Sequence, residues 1–458
     1  MATISSPGLG SGLDINGIVS KLMAVEGRPL TALAAKEASY QAKISAYGAV
    51  KSALAGLQGA VNTLKTVGTY TGLTASSSNK EAATASVSGS PTSASYAITV
   101  TQLAKHHALR STDPYTAATN TFTTGTLSIQ IGSGTPVDVT IDSSNNTLAG
   151  IRDAINAANA GVTASIVNDG TNYRLLLASK TLGSGGAITV SVTDAGSGGT
   201  FALGNLASAS LATTQNADDA ALSINGLSIT RSTNTIADAI DGVTLNLTGV
   251  GSTTVTVGKN RAAVVAAFDG FVKAFNDAKK QIDSVAKYDT ETKKAATLTG
   301  DAAMRTIQSR LNQLLFTRVA GFGDIGTLSD LGVRLQKDGT LSLDTAKLTA
   351  ALNDDALDVK GLMTQTTSGN EGVAVRFANA LKSMLETGGL IDSRTQGVNA
   401  SIKTLQKQYE TMQRRLQDIE ARYRAKFTAL DSTIASLNQT SQYLAQQLAN
   451  LPKISSNS

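Results

Sequence analysis

The sequence contains no cysteine and no tryptophan, and its two histidines, His106 and His107, are adjacent. Without cysteine the chain cannot form disulfides, thiolate zinc sites, iron–sulfur clusters or cysteine nucleophiles. Two neighbouring imidazoles cannot supply the three or four ligands of a histidine-rich metal site. We therefore expect no metal and no cofactor, and the thiol-dependent enzymes are excluded.

Charged residues are also scarce, at 16% of the 458 residues against about 25% in an ordinary globular protein. Hydrophobic residues form 41%, enough to build buried cores, and the length suggests about three domains. No run of 18 or more apolar residues is present, so no membrane insertion is expected. The start, MATISSPGLGSGLDINGIV, lacks the basic and apolar regions of a Sec signal peptide, which leaves export by a dedicated machine open.

Charge is distributed unevenly along the chain. Residues 71–257 carry 7 Lys and Arg against 11 Asp and Glu, residues 1–70 carry 6 against 3, and residues 258–458 carry 26 against 20. A sparsely charged middle between two more charged flanks indicates a segment inserted into a domain made from both ends of the chain. We predict an α+β multidomain fold, in which a long coiled-coil or helical-bundle leg from both termini carries inserted β-rich head modules.

Both flanks predict helices. From residue 398 to residue 451, apolar residues recur mostly at alternating steps of four and three, the 3.5-residue period of a coiled coil. A matching pattern follows Pro29, and proline favours the first turn of a helix. We predict that the two apolar seams pack against each other through Leu33, Tyr40, Ile44, Tyr47, Leu54, Leu57, Ile402, Leu405, Tyr409, Met412, Leu416, Ile419 and Tyr423.

The middle segment is typical of β-structure, with short β-branched stretches at 96–100, 127–131, 137–141, 174–177 and 188–192. It also contains a repeat: LSIQIG (127–132) precedes NNTLAGIRDAI (145–155), and LSINGLSI (222–229) precedes TNTIADAI (233–240). Each copy predicts a hairpin, a polar Asn-Thr start and a short helix. We divide the segment into an inner head module, 71–109 plus 205–257, and an outer head module inserted at 110–204.

The remaining regions complete the predicted domains. Residues 258–390 are expected to form a helical domain, with helices at 264–285, 302–315 and 373–385, while the legs cover 1–70 and 391–458. GVRLQKDGTLSLD (332–344) alternates around Asp338-Gly339, which predicts a β-hairpin. Asp344 then stands where it can cap the following helix.

Motifs that suggest chemistry have simpler structural explanations. GLGSG (8–12) lacks the preceding strand and the Lys-Ser/Thr ending of a phosphate loop. The pair Asp218-Asp219 is interpreted as solvated rather than as a catalytic dyad, and His106-His107 as a surface or strand-end pair. Basic residues of the C-terminal helix alternate with acidic ones outside the seam, which favours a solvated face: Lys403, Lys407, Arg414, Arg415, Arg422, Arg424 and Lys426. The chain is expected neither to be an enzyme nor to bind nucleic acid.

Five stretches carry a family resemblance. They are SSPGLGSGLDINGIVSKLMAVEGRPL near the start, YAITVTQLAKHHAL (96–109), LTGDAAMRTIQSRL (298–311), LGVRLQKDGTLSLDTAKL (331–348) and SLNQTSQYLAQQL (436–448). In this order they resemble the flagellar hook-associated protein 2 family, whose members cap flagellar filaments. Residues 143–155 resemble a short repeat shared by flagellin and hook-associated proteins. The resemblance spans nearly the whole chain, and only 110–205 contributes little.

The resemblance implies a secreted, extracellular, non-enzymatic assembly factor that forms a homo-oligomeric ring, by analogy a pentamer, at the distal tip of the bacterial flagellum. The implied partners are flagellin, the hook–filament junction protein and an export chaperone at the C-terminal helix, with host mucin as a further candidate. By the same analogy, self-assembly and filament contacts are expected at Leu9, Leu13, Ile15, Ile18, Leu430, Ile434, Leu437, Leu444 and Leu448.

Two alternatives of different kinds remain open. Another flagellar axial protein, such as a junction protein or a divergent flagellin, would share the helical termini, although the Asp338-Gly339 hairpin favours the cap. An adhesin would instead bind glycans through the β-rich head, and adhesion can coexist with capping in one protein.

Overall fold

The computed structural model describes residues 14–291 and 293–449, which form two compact units. The helical unit contains the described residues up to Thr69 and those from Arg261 onwards, and the sheet unit runs from Tyr70 to Asn260. The fold is therefore α+β, with helices from both ends of the chain and sheets from the middle, as predicted. The region expected at 258–390 as a separate helical domain shares one unit with both predicted legs.

Helices dominate the two flanks. The helices of the described residues are α1 (Ile15–Glu26), α2 (Arg28–Lys65), α3 (Gly68–Thr71), α4 (Leu148–Ala157), α5 (Arg261–Ala286), α6 (Ala302–Phe316), α7 (Thr345–Asn353), α8 (Val359–Thr364), α9 (Val373–Leu385) and α10 (Leu390–Ala449). The three helices predicted within 258–390 are confirmed as α5, α6 and α9. At 60 residues, α10 is about 90 Å long, given a rise of 1.5 Å per residue.

Short polar side chains fix where several helices begin. Asp14, Asp301 and Asp344 accept hydrogen bonds from backbone amides in the first turns of α1, α6 and α7. Such caps satisfy amide groups that have no partner inside the helix. The cap by Asp344 is the predicted one, and Pro29 lies in the first turn of α2.

Helix α2 packs against α5, α9 and α10 in the helical unit, and all of its buried residues lie in its second half. Its buried residues are spaced by three and four positions: Ala46, Tyr47, Val50, Leu54, Leu57, Val61 and Leu64. This spacing places them on one face of a helix that has 3.6 residues per turn. The core of the unit is therefore assembled from segments that lie far apart in the sequence.

Strands fill the middle of the chain. They are β1 (Leu73–Ser77), β2 (Ala83–Val87), β3 (Ala94–Gln102), β4 (His106–Ser111), β5 (Gly125–Ile131), β6 (Val137–Ile141), β7 (Val162–Asn168), β8 (Tyr173–Leu182), β9 (Ile188–Asp194), β10 (Leu211–Gln215), β11 (Ala220–Ile224), β12 (Leu227–Arg231), β13 (Thr235–Ile240), β14 (Val243–Leu247), β15 (Gly251–Lys259), β16 (Tyr288–Asp289), β17 (Lys294–Ala295), β18 (Val333–Leu335) and β19 (Leu341–Leu343). The last two form the hairpin predicted around Asp338-Gly339.

The sheet unit contains two separate hydrophobic cores. The sheets β1-β15-β3-β11-β12 and β13-β14-β2 supply one core, from Ala83 to Ala104 and from Ala220 to Val257. The sheets β10-β4-β8-β7 and β6-β5-β9, with α4, supply the other, between Leu109 and Leu211. We call these the inner and outer cores. The outer core begins one residue before the predicted outer module, 110–204, and ends seven residues after it.

The internal repeat is confirmed in its first copy, whereas in the second copy the predicted hairpin forms from β11 and β12 but the predicted helix is wrong. In the first copy β5 pairs with β6, and the Thr147 hydroxyl caps α4. In the second copy, residues 235–240 form the strand β13 rather than a helix, because Ile236 and Ile240 are buried in a hairpin with β14. Asn234 does not cap a helix, since its side-chain amide bonds both backbone groups of Ala104.

Candidate assembly surface on the helical unit

The predicted seam residues all lie at least half-buried in the helical unit, but burial is graded along the seam. Complete or nearly complete burial is found at Tyr47, Leu54, Leu57, Ile402, Leu405 and Ile419. The others are half-buried: Leu33, Tyr40, Ile44, Tyr409, Met412, Leu416 and Tyr423. All of the half-buried residues come from the first half of α2 and from the part of α10 beyond Leu405. In that part of the pair, the seam residues other than Ile419 keep surface in contact with solvent.

Tyr47 ties α2 to another helix of the unit. Its hydroxyl donates a 2.7 Å hydrogen bond to Asp301 Oδ2, while Asp301 Oδ1 caps α6. Burial, followed by this hydrogen bond, raises the pKa of the Tyr47 phenol well above its ordinary value of 10.0. A seam residue predicted from spacing alone therefore also fixes the start of α6.

Helix α1 packs against α10. Ile15 is buried together with Val19, and Ile18 is half-buried. Two polar contacts accompany this packing: Arg424 Nη1 donates to Asn16 Oδ1 at 2.9 Å, and the Tyr423 hydroxyl donates to Glu26 Oε1 at 3.2 Å. The other predicted assembly residues of this end, Leu9 and Leu13, lie outside the described residues.

The far end of α10 exposes a row of leucines. Exposed fractions are 45% for Leu430, 61% for Leu437, 54% for Leu444 and 67% for Leu448, whereas Ile434 is half-buried. We call Leu437, Leu444 and Leu448, with Ser441 between them, the leucine row. No charged residue occurs between positions 432 and 449 of the sequence. This part of α10 therefore presents apolar side chains among uncharged polar ones.

A groove lies between the start of α2 and the middle of α10. Its volume is about 640 Å³, and it is lined by Pro29, Ala32, Leu33, Lys36, Thr404, Lys407, Gln408, Thr411, Met412 and Arg415. The seam pattern predicted Leu33 and Met412 but not the groove, because the spacing of apolar residues along one helix does not show how closely a distant helix packs beside them.

The basic residues of α10 face solvent, and one of them forms an ion pair on its own helix. Arg424 contacts Glu420 at 2.8 Å, one turn away, and both side chains are about half exposed. Among the described helices, none is long and apolar enough to cross a membrane. Residues 14–291 and 293–449 also contain no group of three or more His, Asp or Glu side chains placed to hold a metal.

The two polar pairs of the sheet unit have structural contacts. His107 Nδ1 accepts a 2.8 Å hydrogen bond from the Ile188 amide, which joins β4 to β9, and burial lowers the pKa of His107 below 6.5. The Asp219 carboxylate accepts two hydrogen bonds from Ser184, one from the amide at 2.7 Å and one from the hydroxyl at 2.8 Å. Asp219 is therefore partly exposed and also holds the turn after β8 in place.

These Asp219 contacts belong to a junction between the two cores of the sheet unit. The turn between β8 and β9 follows Leu182, which packs against the inner core although β8 belongs to the outer one. Gly183 has φ of +79°, and a Cβ there would lie 2.7 Å from the Ser232 backbone. No sequence motif marks this junction, because Ser184 and Asp219 are 35 residues apart.

Comparison with known proteins identifies the family. A family model described as "Flagellar hook-associated protein 2 C-terminus" matches residues 217–439, and one described as "Flagellar hook-associated protein 2 N-terminus" matches residues 11–107. A third, "Flagellin hook IN motif", matches residues 126–181, which include the first copy of the repeat.

Full-length relatives agree with these matches. Flagellar hook-associated protein 2 of Escherichia coli (strain K12) is 36% identical over 467 residues, covering 98% of this chain and 99% of the relative. The B-type flagellar hook-associated protein 2 of Pseudomonas aeruginosa is 32% identical over 474 residues, covering 99% of this chain and 98% of the relative. A crystal structure of the flagellar cap protein FliD D1-D2-D3 domains from Escherichia coli, 32% identical, matches with a TM-score of 0.53 over 77% of this chain and 99% of that chain. The chain belongs to the flagellar hook-associated protein 2 family, the family of the flagellar cap protein.

Proposed function

We propose that this protein forms a homo-oligomeric ring, most simply a pentamer, at the distal tip of the bacterial flagellum, where it caps the filament and promotes the folding and polymerisation of exported flagellin. The observation that carries the proposal is the leucine row on α10, together with membership of the cap protein family. Exposed apolar surface of this kind marks protein interaction sites.

The size of the row favours an assembly with several contacts. Burying a leucine side chain completely stabilises by about 1.5–3 kcal/mol, so the exposed parts of Leu430, Leu437, Leu444 and Leu448 could contribute roughly 3–7 kcal/mol. Association itself costs about 4–15 kcal/mol in lost freedom of motion. One such contact is therefore marginal between two free subunits, whereas a closed ring or a filament end gives each subunit several.

The same reasoning supports the other proposed partners. A row that stays exposed until assembly would promote aggregation in the cell, so an export chaperone that covers α10 before secretion is expected. We further propose that the protein leaves the cell through the flagellar export apparatus and that the ring is seated first on the hook–filament junction protein and then on flagellin.

The test is complementation of a strain from which the gene has been deleted. We expect the deletion strain to release flagellin as monomer and the wild-type gene to restore filaments. The double variant Leu437→Asp, Leu444→Asp should fail to restore them, because two buried carboxylates would be unpaired. The matched control is Gln439→Asp, Gln446→Asp, which adds the same charge on the opposite face of α10. Normal filaments in the deletion strain would refute capping, and equal growth with both double variants would refute the role of the row.

A second proposed role is adhesion of the sheet unit to host mucin. The favouring observation is the low charge of residues 71–257, with 18 ionisable Lys, Arg, Asp and Glu side chains among 187 residues, and a surface rich in Ser, Thr and Asn that can bond sugar hydroxyls. We expect the purified protein to bind mucin-type glycans on an array. No binding to any array glycan would contradict this role and leave capping as the single proposal.

A further inference from the structure

The groove between α2 and α10 has an apolar floor and a basic rim. Leu33 and Met412 contribute to the floor, and Lys36, Lys407 and Arg415 contribute the cations. None of the described residues that line it is acidic. A helix that enters this groove must therefore bring apolar side chains and must not bring further positive charge.

Burial of α2 differs between its two halves, and the groove lies beside the less buried half. All the buried residues of α2 lie in its second half, between Ala46 and Leu64. In the first half, Leu33 and Tyr40 remain half-buried although α10 lies against them. Two paired helices bury less of an apolar seam than a bundle of three, so this part of the unit has room for one more helix.

Charge distinguishes the two stretches of α10 that a second copy of the chain could place in the groove. Between positions 403 and 426, α10 carries seven Lys and Arg against three Asp and Glu, so this stretch would be repelled by the rim. The next stretch, 432–449, carries no charge and presents the leucine row on one face. We propose that residues 432–449 of a second copy of this chain dock in the groove, with the leucine row against Leu33 and Met412.

This inference rests on the proposed ring and specifies one of its contacts. The groove and the row are different parts of one chain, so the contact is head-to-tail rather than two-fold symmetric. Repeated contacts of this type close into a ring when the rotation between neighbours divides a full turn. Each subunit then offers its row to one neighbour and its groove to the other.

The natural absence of cysteine allows a direct test by disulfide formation between chains. One preparation carries Gln408→Cys in the groove and another carries Ser441→Cys in the row. The control preparation carries Gln439→Cys, on the opposite face of α10. The preparations are mixed at concentrations at which the full-length protein self-associates, oxidised mildly and separated on a non-reducing gel.

We expect the mixture of Gln408→Cys with Ser441→Cys to form cross-linked dimers at least tenfold faster than the mixture with Gln439→Cys. Equal rates in the two mixtures would overturn the inference, as would faster dimers of Ser441→Cys alone, which would indicate tail-to-tail pairing. Failure of the protein to self-associate at any soluble concentration would also overturn it. The cap proposal is judged separately by complementation, so oligomers that form without the expected cross-link refute only the groove contact.

Discussion

The junction between the inner and outer cores leads to a specific prediction for Asp219→Ala. The substitution removes a carboxylate that accepts two hydrogen bonds from Ser184 on the turn after β8. Asp218 provides a matched control, because its side chain makes no hydrogen bond or ion pair within the described part of the chain. Asp218→Ala changes the local charge by the same amount but leaves the junction intact.

The expected magnitude follows from the two lost bonds. A hydrogen bond to a charged group contributes about 1.5–3 kcal/mol, and partial exposure of Asp219 reduces this because water can replace the carboxylate. We therefore expect the pair to contribute roughly 1.5–3 kcal/mol to local stability. Asp219→Asn, which keeps one acceptor oxygen, should lose about half of that.

Hydrogen exchange measured by mass spectrometry on the full-length protein reports this local stability. Each 1.4 kcal/mol corresponds to a factor of ten. Amides of the turn at 183–187 and of β9 should therefore exchange about 10–100 times faster in Asp219→Ala than in the wild type. Unchanged exchange in Asp219→Ala, or equal acceleration in Asp218→Ala, would refute the assignment of the junction to the Asp219 carboxylate.

Two further predictions concern pH. Because the folded state holds the phenol proton of Tyr47 more tightly than the unfolded chain does, stability should fall as pH rises above about 10. At neutral pH, Tyr47→Phe should be about 1 kcal/mol less stable than the wild type, because it lacks the hydrogen bond to Asp301. As the pH rises above 10, the unfolding free energy measured with urea should fall less in Tyr47→Phe than in the wild type. A difference in unfolding free energy between the two proteins that stays the same at all pH values would contradict this. Because burial lowers the pKa of His107, the unfolded chain binds a proton first, and thermal stability should fall as pH drops below about 6.5. His107→Gln should weaken this dependence of the melting temperature on pH, and His106→Gln should leave it unchanged. The same dependence in both variants would refute the role of His107.

Patterns that are local in sequence predicted much of this structure. The 3.5-residue spacing along α10 and α2 predicted both helices, because a helix places residues with this spacing on one face. Similarly, Asp338-Gly339 and Asp344 marked a hairpin and a helix start from chemistry within a few residues. In each case the deciding interaction lies inside the segment that carries the pattern.

Where the deciding interaction was distant, sequence reasoning failed. TNTIADAI has the composition of a short helix, yet β14 pairs with it and Ala104 engages its asparagine, so it forms β13. The groove is formed by residues 29–36 together with residues 404–415, and the Asp219 junction depends on a serine 35 residues away. No local sequence pattern predicts either the groove or the junction.

The pairing of β1 with β15 has a consequence for the order of folding. Leu73 lies opposite Lys259, and the Asn260 amide bonds the Gly72 carbonyl at 2.8 Å, so the folded sheet unit holds together two points 186 residues apart. Closing a flexible loop of that length costs roughly 4–5 kcal/mol in entropy, apart from a constant.

We expect the two cores of the sheet unit to offset this cost without the helical unit, because both are built from residues between Ala83 and Val257. Contacts between the flanks, such as that of Gln406 with Glu37, 369 residues away in sequence, then join two segments that both adjoin the paired ends of the sheet unit. During synthesis from the N-terminus, all strands of the sheet unit emerge before α10, so we expect the sheets to form before α2 can pack against α10. Folding of the middle of the protein thus prepares the assembly of its two ends.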